Sequence, residues 1–168
     1  MATTAEILTD AFERVQHAVH GALDGLTDDQ LAARITPDAN TIAWLVWHLT
    51  RIQDDHVADV AGTEQLYTAR GWNAKFALPF DDDATGYGFT TADVGAVRAS
   101  ASLLKDYYDA VHANTVGYIA TLRDADLDRI VDTSWDPPVT LAVRLVSVVE
   151  DDLQHAGQAA YARGILTT

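Results

Sequence analysis

Two histidines and one acid on two predicted helices are the side chains best suited to chemistry. His48 lies in the segment NTIAWLVWHLTRIQDDHVADVAG, and His155 lies in VTLAVRLVSVVEDDLQHAGQAAYARG, four residues after Asp151. An acid and a histidine at positions i and i+4 share one face of a helix, one turn apart. If the two helices pack together, His48, Asp151 and His155 can converge on one divalent metal.

Two neighbouring residues compete for the same role. On a helical wheel, His48 and His155 lie at the edge of an apolar stripe, from which side chains can reach a cleft between helices. His56 points at least as far inward as His48, and Asp152 at least as far inward as Asp151. Asp152 and His155 also have the i, i+3 spacing of carboxylate-bridged metal sites in helix bundles. From the residues alone, both alternatives stay open, as does a purely structural role for the histidines.

The composition excludes several classes of function. The chain contains no cysteine, so a disulfide, a thiolate ligand and a cysteine nucleophile are all excluded. Its formal net charge of −14 repels phosphate backbones and anionic lipid, which disfavours nucleic-acid and membrane roles. We find no apolar run of the about 18 residues that a membrane span needs, and no signal peptide. We therefore expect a cytoplasmic protein.

The periodicity of apolar residues predicts four long helices and no strands. The second helix is capped by Asn40 or Thr41 and ends at Gly62. The third begins with a capping box at Thr90 and runs as one helix to Leu122. One domain over residues 1–168 is expected, with an all-α four-helix-bundle fold. The predicted helices cover about Thr4–Leu23, Asn40–Gly62, Thr90–Leu122 and Thr140–Gly164.

Residues 63–89, between the second and third helices, form the least regular region. A loop of this length in a compact domain is usually functional or mobile. Its many aromatic residues predict a packed cover over the bundle, which could close over a substrate. Between the third and fourth helices, residues 124–132 are expected to contain one short helical turn.

Three segments of the chain carry a resemblance to a known family. WLVWHLTRIQDDHVADVAG, TGYGFT, and WDPPVT followed by VRLVSVVEDDLQHAGQAAYARG are similar to the DinB-like superfamily, in particular to its actinobacterial branch of mycothiol-dependent maleylpyruvate isomerases. The resemblance implies an up-down-down-up bundle with a divalent metal near one end of a cleft. It also implies His48, Asp151 and His155 as the ligands, and so favours them over His56 and Asp152. Phe89 follows TGYG where close relatives are expected to carry histidine.

Two imidazoles and one carboxylate leave coordination positions open, as in catalytic metal sites. We expect zinc, with nickel, iron or manganese as alternatives. The resemblance implies a low-molecular-weight thiol similar to mycothiol as cosubstrate and a small electrophilic substrate, with thiol transfer or isomerisation as the reaction.

Three further residues have expected roles around this site. Asp55 or Asp152 could orient a ligating histidine. Arg144, two turns before Asp151, could bind a substrate carboxylate. The alternative function is a non-catalytic helical module with a structural metal or none. A homodimer is also expected as a form of the protein, through a face that the sequence does not identify.

Overall fold

The computed structural model describes residues 2–168, and most of them are helical. A 3-10 helix (Asp124–Asp128) and an antiparallel hairpin of two short strands, β1 (Ile130–Asp132) and β2 (Val139–Thr140), precede the last helix. The α-helices are α1 (Thr4–Leu23), α2 (Asp28–Ala32), α3 (Ile42–Ala61), α4 (Leu66–Ala69), α5 (Trp72–Phe76), α6 (Thr91–Ala96), α7 (Ala101–Ile119) and α8 (Leu141–Leu166). The predicted all-α class is confirmed.

The four long helices pack in a ring. Helix α1 packs between α7 and α8, and α3 packs between the same two helices on the other side of the ring. Every residue of α3 from Ile42 to Leu49 is buried, because α7, α8 and the segment after α3 cover it. A helix that is apolar on all sides belongs in such an interior position. Within residues 2–168, no helix has both the length and the apolarity that crossing a membrane requires.

Side-chain caps fix where the long helices begin. The hydroxyl of Thr41 accepts a hydrogen bond from the backbone N–H of Trp44, so Thr41 rather than Asn40 caps α3. Thr140 caps α8 in the same way. Gly62 ends α3 in the left-handed conformation, with φ of 68°. An N-cap hydroxyl contributes about 1 kcal/mol, so these positions define the ends of the helices that carry His48 and His155.

The predicted third helix is wrong as a single element. The chain leaves the helical conformation at Val97, with φ of −74° and ψ of 104°, and α7 starts again after Ser100. Val97 is fully buried, which holds the extended backbone in place. The Ser100 hydroxyl accepts from the N–H of Leu103 and caps the new helix. A local N-cap and a buried anchor therefore override a helical pattern that continues across the break.

Two further predictions are wrong, namely that the fourth helix ends at Gly164 and that the chain has no strands. Gly164 lies inside α8, which continues to Leu166. The last turn is held by Gln30, whose side-chain amide donates to the carbonyl of Leu166. The expected helical turn after α7 is present as the 3-10 helix, but the following residues pair as β1 and β2, with Ile130 opposite Thr140.

Arg51, a fully buried residue of α3, holds the segment between α3 and α6 in place. Its guanidinium donates to the carbonyls of Asp82 and Ala84 and to the side-chain oxygen of Gln65. The same group lies 4.1 Å from the ring centroid of Tyr67. A buried cation without such partners would cost several kcal/mol. The bonds therefore anchor residues 63–89 at both ends.

Asp54 completes this anchor. Its carboxylate accepts from the backbone N–H groups of Leu66 and Tyr67, at the start of α4, and from the hydroxyl of Tyr107 on α7. The predicted packed cover over the bundle is confirmed, because most of its aromatic side chains lie against α3 and α7. Its closure over a substrate stays a prediction.

Candidate metal centre

The structure brings His48, Asp151 and His155 together between α3 and α8. Each residue offers one ligand atom, and the three atoms lie within 4.8 Å of one another. His48 is 5% exposed, whereas Asp151 and His155 are half-buried. His155 Nε2 and Asp151 Oδ1 are 3.8 Å apart, which is too far for a hydrogen bond. The carboxylate and the two rings thus face a common point without being bonded to one another.

A backbone carbonyl orients the His48 ring. His48 Nδ1 lies 2.6 Å from the carbonyl oxygen of Thr85. A carbonyl only accepts, so Nδ1 carries the proton and donates, and Nε2 keeps its lone pair. Trp44 stacks on a face of the ring, with centroids 4.5 Å apart and planes 13° from parallel. This is the arrangement in which a histidine ligand is usually held for a metal.

Gly86 makes this close approach feasible. It has a φ of +94°, and a Cβ at this position would lie 2.9 Å from His48 Nδ1 and 3.0 Å from the Trp47 ring. No other residue type fits there without moving the ring or the loop. The TGYGFT segment therefore has a physical role, which is to bring its backbone against α3.

The electrostatics favour a neutral His48. Burial lowers the pKa of His48 below its ordinary value, and the nearby His155 lowers it further. The bond to Thr85 and the charge of Asp151 raise this pKa, but by less. A neutral imidazole is the form that can donate a lone pair to a metal.

The donor set fits a divalent cation. Asp151 Oδ2 and His155 Nδ1 are buried and have no hydrogen-bond partner among residues 2–168. Each such orphaned polar atom costs about 1–3 kcal/mol, which coordination or bound water could recover. Ligand atoms on a tetrahedral zinc are separated by about 3.4 Å, given bonds of about 2.1 Å. The side chains would therefore have to close by about an ångström around an ion.

The two alternative ligands lie elsewhere. His56 Nδ1 is 3.3 Å from an Arg144 nitrogen and 3.9 Å from the Asp55 carboxylate. Asp152 is fully buried, its pKa is raised well above the ordinary value by burial, and its oxygens have no hydrogen-bond partner in the described chain. Neither residue belongs to the three-atom cluster. Asp152 also makes no bond to a histidine, so its expected orienting role is wrong.

Asp55 and Arg144 have other partners in this structure. Asp55 accepts from the side chain of Gln65 at 2.6 Å. Arg144 donates to Asp132 at 2.9 Å, which ties α8 to the β-hairpin, and its Nε is buried without a partner. Thr85 holds His48 in place of either predicted acid.

One cleft of the described molecule lies away from this cluster. It has a volume of about 460 Å³ and lies between α1 and α7, where His17, His20 and Lys105 line it. These two helices do not contribute a residue to the His48, Asp151 and His155 group. The cleft is therefore a separate feature.

The fold and the cluster together define a class of helical protein with an open site of two histidines and one carboxylate between two long helices. The chain belongs to the mycothiol-S-transferase family, whose model matches residues 7–168. This family is DinB-like, so the resemblance found in the sequence is confirmed.

The remaining comparisons concern individual proteins. A comparison with curated proteins found no match. Among solved structures, the crystal structure of the conserved protein of locus from Enterococcus faecalis is 28% identical to this chain. The alignment covers 99% of each chain, with a TM-score of 0.92. The whole chain therefore shares one fold with that protein.

Proposed function

We propose that His48, Asp151 and His155 bind a divalent metal, with zinc as the first expectation, and that the protein is a metal-dependent mycothiol S-transferase. The observation that supports this most is the convergence of three ligand atoms within 4.8 Å of one another. In addition, Asp151 and His155 each carry a buried polar atom without a hydrogen-bond partner in residues 2–168. Nickel, iron and manganese suit the same donors. The family match supports the thiol as cosubstrate.

The chemistry proposed for this site is transfer of the thiol to an electrophilic carbon. A divalent ion supplies Lewis acidity, which lowers the pKa of a thiol at the site so that thiolate is available at neutral pH. The sulfur forms a bond to the carbon, the thiol proton goes to solvent, and the leaving group departs with the electron pair of its bond. Isomerisation would use the same addition, followed by loss of the thiol.

The protein's own residues would position these reactants. Thr85 and Trp44 hold the His48 ring, and the protonated Nδ1 directs Nε2 to the cluster. Arg144 lies two turns before Asp151 on α8, where its guanidinium could bind a substrate carboxylate if the bond to Asp132 is exchanged. The external thiol also implies a cytoplasmic location, because low-molecular-weight thiols are kept reduced there.

Metal content tests the ligand assignment. Purified protein should contain bound metal by mass spectrometry, and His48→Ala, His155→Ala and Asp151→Asn should each lose it. Asp152→Asn is the matched control, because it changes the adjacent carboxylate outside the cluster and should keep the metal. Equal metal content in all four variants would reject the site.

Turnover separates an enzyme from a non-catalytic module. The protein is incubated with an electrophile and a panel of thiols, with and without a chelator. A thiol-dependent rate that the chelator abolishes supports the proposed transferase. Metal binding without any thiol-dependent turnover would instead identify a helical module with a structural ion.

A further inference from the structure

A row of large apolar side chains runs along the outward side of α8, interrupted by Ser147, Glu150 and Gln154. Five large apolar side chains are exposed there by 43% to 68% of their surface. At about 100° per residue they fall within about one third of the helix circumference, opposite the side that faces the core. The exposed residues are Val143, Val146, Leu153, Tyr161 and Ile165, and the core side includes Leu141, Leu145 and Val148.

This face is also nearly free of charge, although the chain carries a net charge of −14. Glu150 is the one charged residue among the exposed positions of α8. On α1, by contrast, the exposed positions include Glu6, Asp10, Glu13 and Arg14. A helix that faces water normally carries charges on its outer side. The composition of α8 is therefore that of a contact surface.

Two glycines on the same face are not required by the protomer. A Cβ at Gly157 or at Gly164 would meet no atom within 4 Å, and neither residue has a positive φ. Glycine inside a helix costs about 1 kcal/mol relative to alanine. Small residues at these positions allow another helix to approach closely.

We infer that α8 pairs with α8 of a second copy of this chain, antiparallel, about a two-fold axis near Leu153. The order of large apolar and small residues on this face is nearly the same in both directions along the helix. Val146 then lies opposite the partner's Tyr161, Val143 lies beside the partner's Gly164 and the partner's Ile165, and Leu153 lies beside the partner's Gln154. A two-fold contact requires this self-complementarity.

The charge pattern also fits a second copy. In the same pairing, Glu150 lies opposite the partner's Gly157 instead of opposite another acid. The two large negative net charges still repel each other at a distance. The stripe from Val143 to Ile165 is about 33 Å long and about 10 Å wide, or on the order of 300–400 Å² per protomer. An interface of this size belongs with weak, transient ones.

The dimer would leave the candidate metal centre open. Asp151 and His155 lie on the flank of α8 that faces α3, about a quarter turn or more from the apolar stripe. The pairing therefore does not depend on the proposed function.

Sedimentation velocity of the full chain over a range from micromolar to several hundred micromolar tests the pairing. The protein should pass from monomer to dimer, and added salt should strengthen the dimer by screening the repulsion. Leu153→Glu should stay monomeric. Ala113→Glu adds the same charge on the exposed side of α7, diagonally across the bundle, and should dimerise like wild type. A wild-type protein that is monomeric throughout, or a Leu153→Glu variant that dimerises normally, overturns the inference.

Cross-linking gives a second, independent measurement. The natural chain has no cysteine, so a single introduced cysteine reports one position. A disulfide needs Cα atoms within about 7 Å. Leu153→Cys, beside the axis, should form a disulfide-linked dimer under mild oxidation, whereas Ala113→Cys should not. Circular dichroism verifies that both variants are folded, and equal cross-linking at the two positions contradicts the proposed face.

Discussion

The Nδ1 atom of His48 lies 2.6 Å from the carbonyl oxygen of Thr85, which is 37 residues further along the chain. A potential metal ligand on α3 is therefore oriented by the backbone of the cover. Gly86 allows this contact, because any side chain there would collide with the His48 ring. The orientation of the ring depends on one position in the loop, and that position can be changed.

Gly86→Ala should lower the affinity for zinc about 10- to 100-fold, the usual effect of losing a group that orients a metal ligand. The new Cβ would push the His48 ring or the Thr85 carbonyl out of place. Isothermal titration with zinc measures the affinity. Gly88→Ala is the matched control, because Gly88 also has a positive φ of 73° but open space around its Cβ. Equal losses in the two variants would mean that backbone strain, and not the collision, is responsible.

Tyr87 should contribute to substrate binding and to little else. Its side chain is 88% exposed, and the residue directly follows Gly86, whose backbone lies against His48. Tyr87→Ala should raise KM several-fold while leaving zinc content and Tm unchanged, since exposed substitutions usually alter stability by no more than about 0.5 kcal/mol. Trp135→Ala, at an exposed aromatic residue of the hairpin, serves as control and should leave KM unchanged. An unchanged KM in Tyr87→Ala contradicts the prediction.

Arg144 can be tested separately from its ion pair. Arg144→Gln removes the guanidinium, whereas Asp132→Asn keeps the guanidinium and removes the charge of its carboxylate partner. If Arg144 binds a substrate carboxylate, Arg144→Gln should raise KM about tenfold or more for electrophiles with a carboxylate, but not for their neutral analogues. Asp132→Asn should leave that KM ratio unchanged. The same kinetic effect in both variants would assign Arg144 to the support of the hairpin alone.

Asp109 should stabilise the fold in a pH-dependent way. Burial raises the pKa of Asp109, but hydrogen bonds from Lys105, His20 and Gln16 lower it by more, so the pKa lies below its ordinary value. A lowered pKa means that the stabilisation is complete above the unfolded-state value of about 3.9. It is lost as the pH falls through the lower folded-state value.

Asp109→Asn should therefore lower the free energy of unfolding by about 1–2 kcal/mol at pH 6, which corresponds to about 2–8 °C in Tm. The difference from wild type should shrink towards pH 2. Thermal unfolding followed by circular dichroism measures it. Asp10→Asn changes an exposed carboxylate that pairs only with Arg14 and should have little effect at either pH. A Tm difference for Asp109→Asn that stays constant with pH would contradict the assignment.

The sequence predicts those features that depend on local spacing. The i, i+4 relation of Asp151 and His155 lies within one helix, and the periodicity of α3 and α8 indicates that both helices face a common core. These two patterns bring a histidine of α3, either His48 or His56, near the pair. The choice between His48 and His56 is not local, because a helical wheel gives direction only and does not show that Arg144 occupies the neighbourhood of His56.

The pattern of residue types along the sequence does not predict backbone contacts between distant segments. Thr85 acts through its carbonyl, a group that every residue has, so its residue type gives no signal. The break between α6 and α7 is missed for a related reason. Val97 keeps the helical spacing of apolar residues, but its burial against the core fixes an extended backbone there.

The bond between His48 and Thr85 links the ion to the loop. If a metal binds as proposed, the ordered cover increases the affinity for the metal. By thermodynamic linkage, the bound metal then stabilises the ordered cover by the same free energy. Amide protons in residues 63–89 would then exchange faster in the metal-free protein, and a protease would cut this segment first after chelation. The resistance of one loop to proteolysis would thus report the occupancy of a site between two helices.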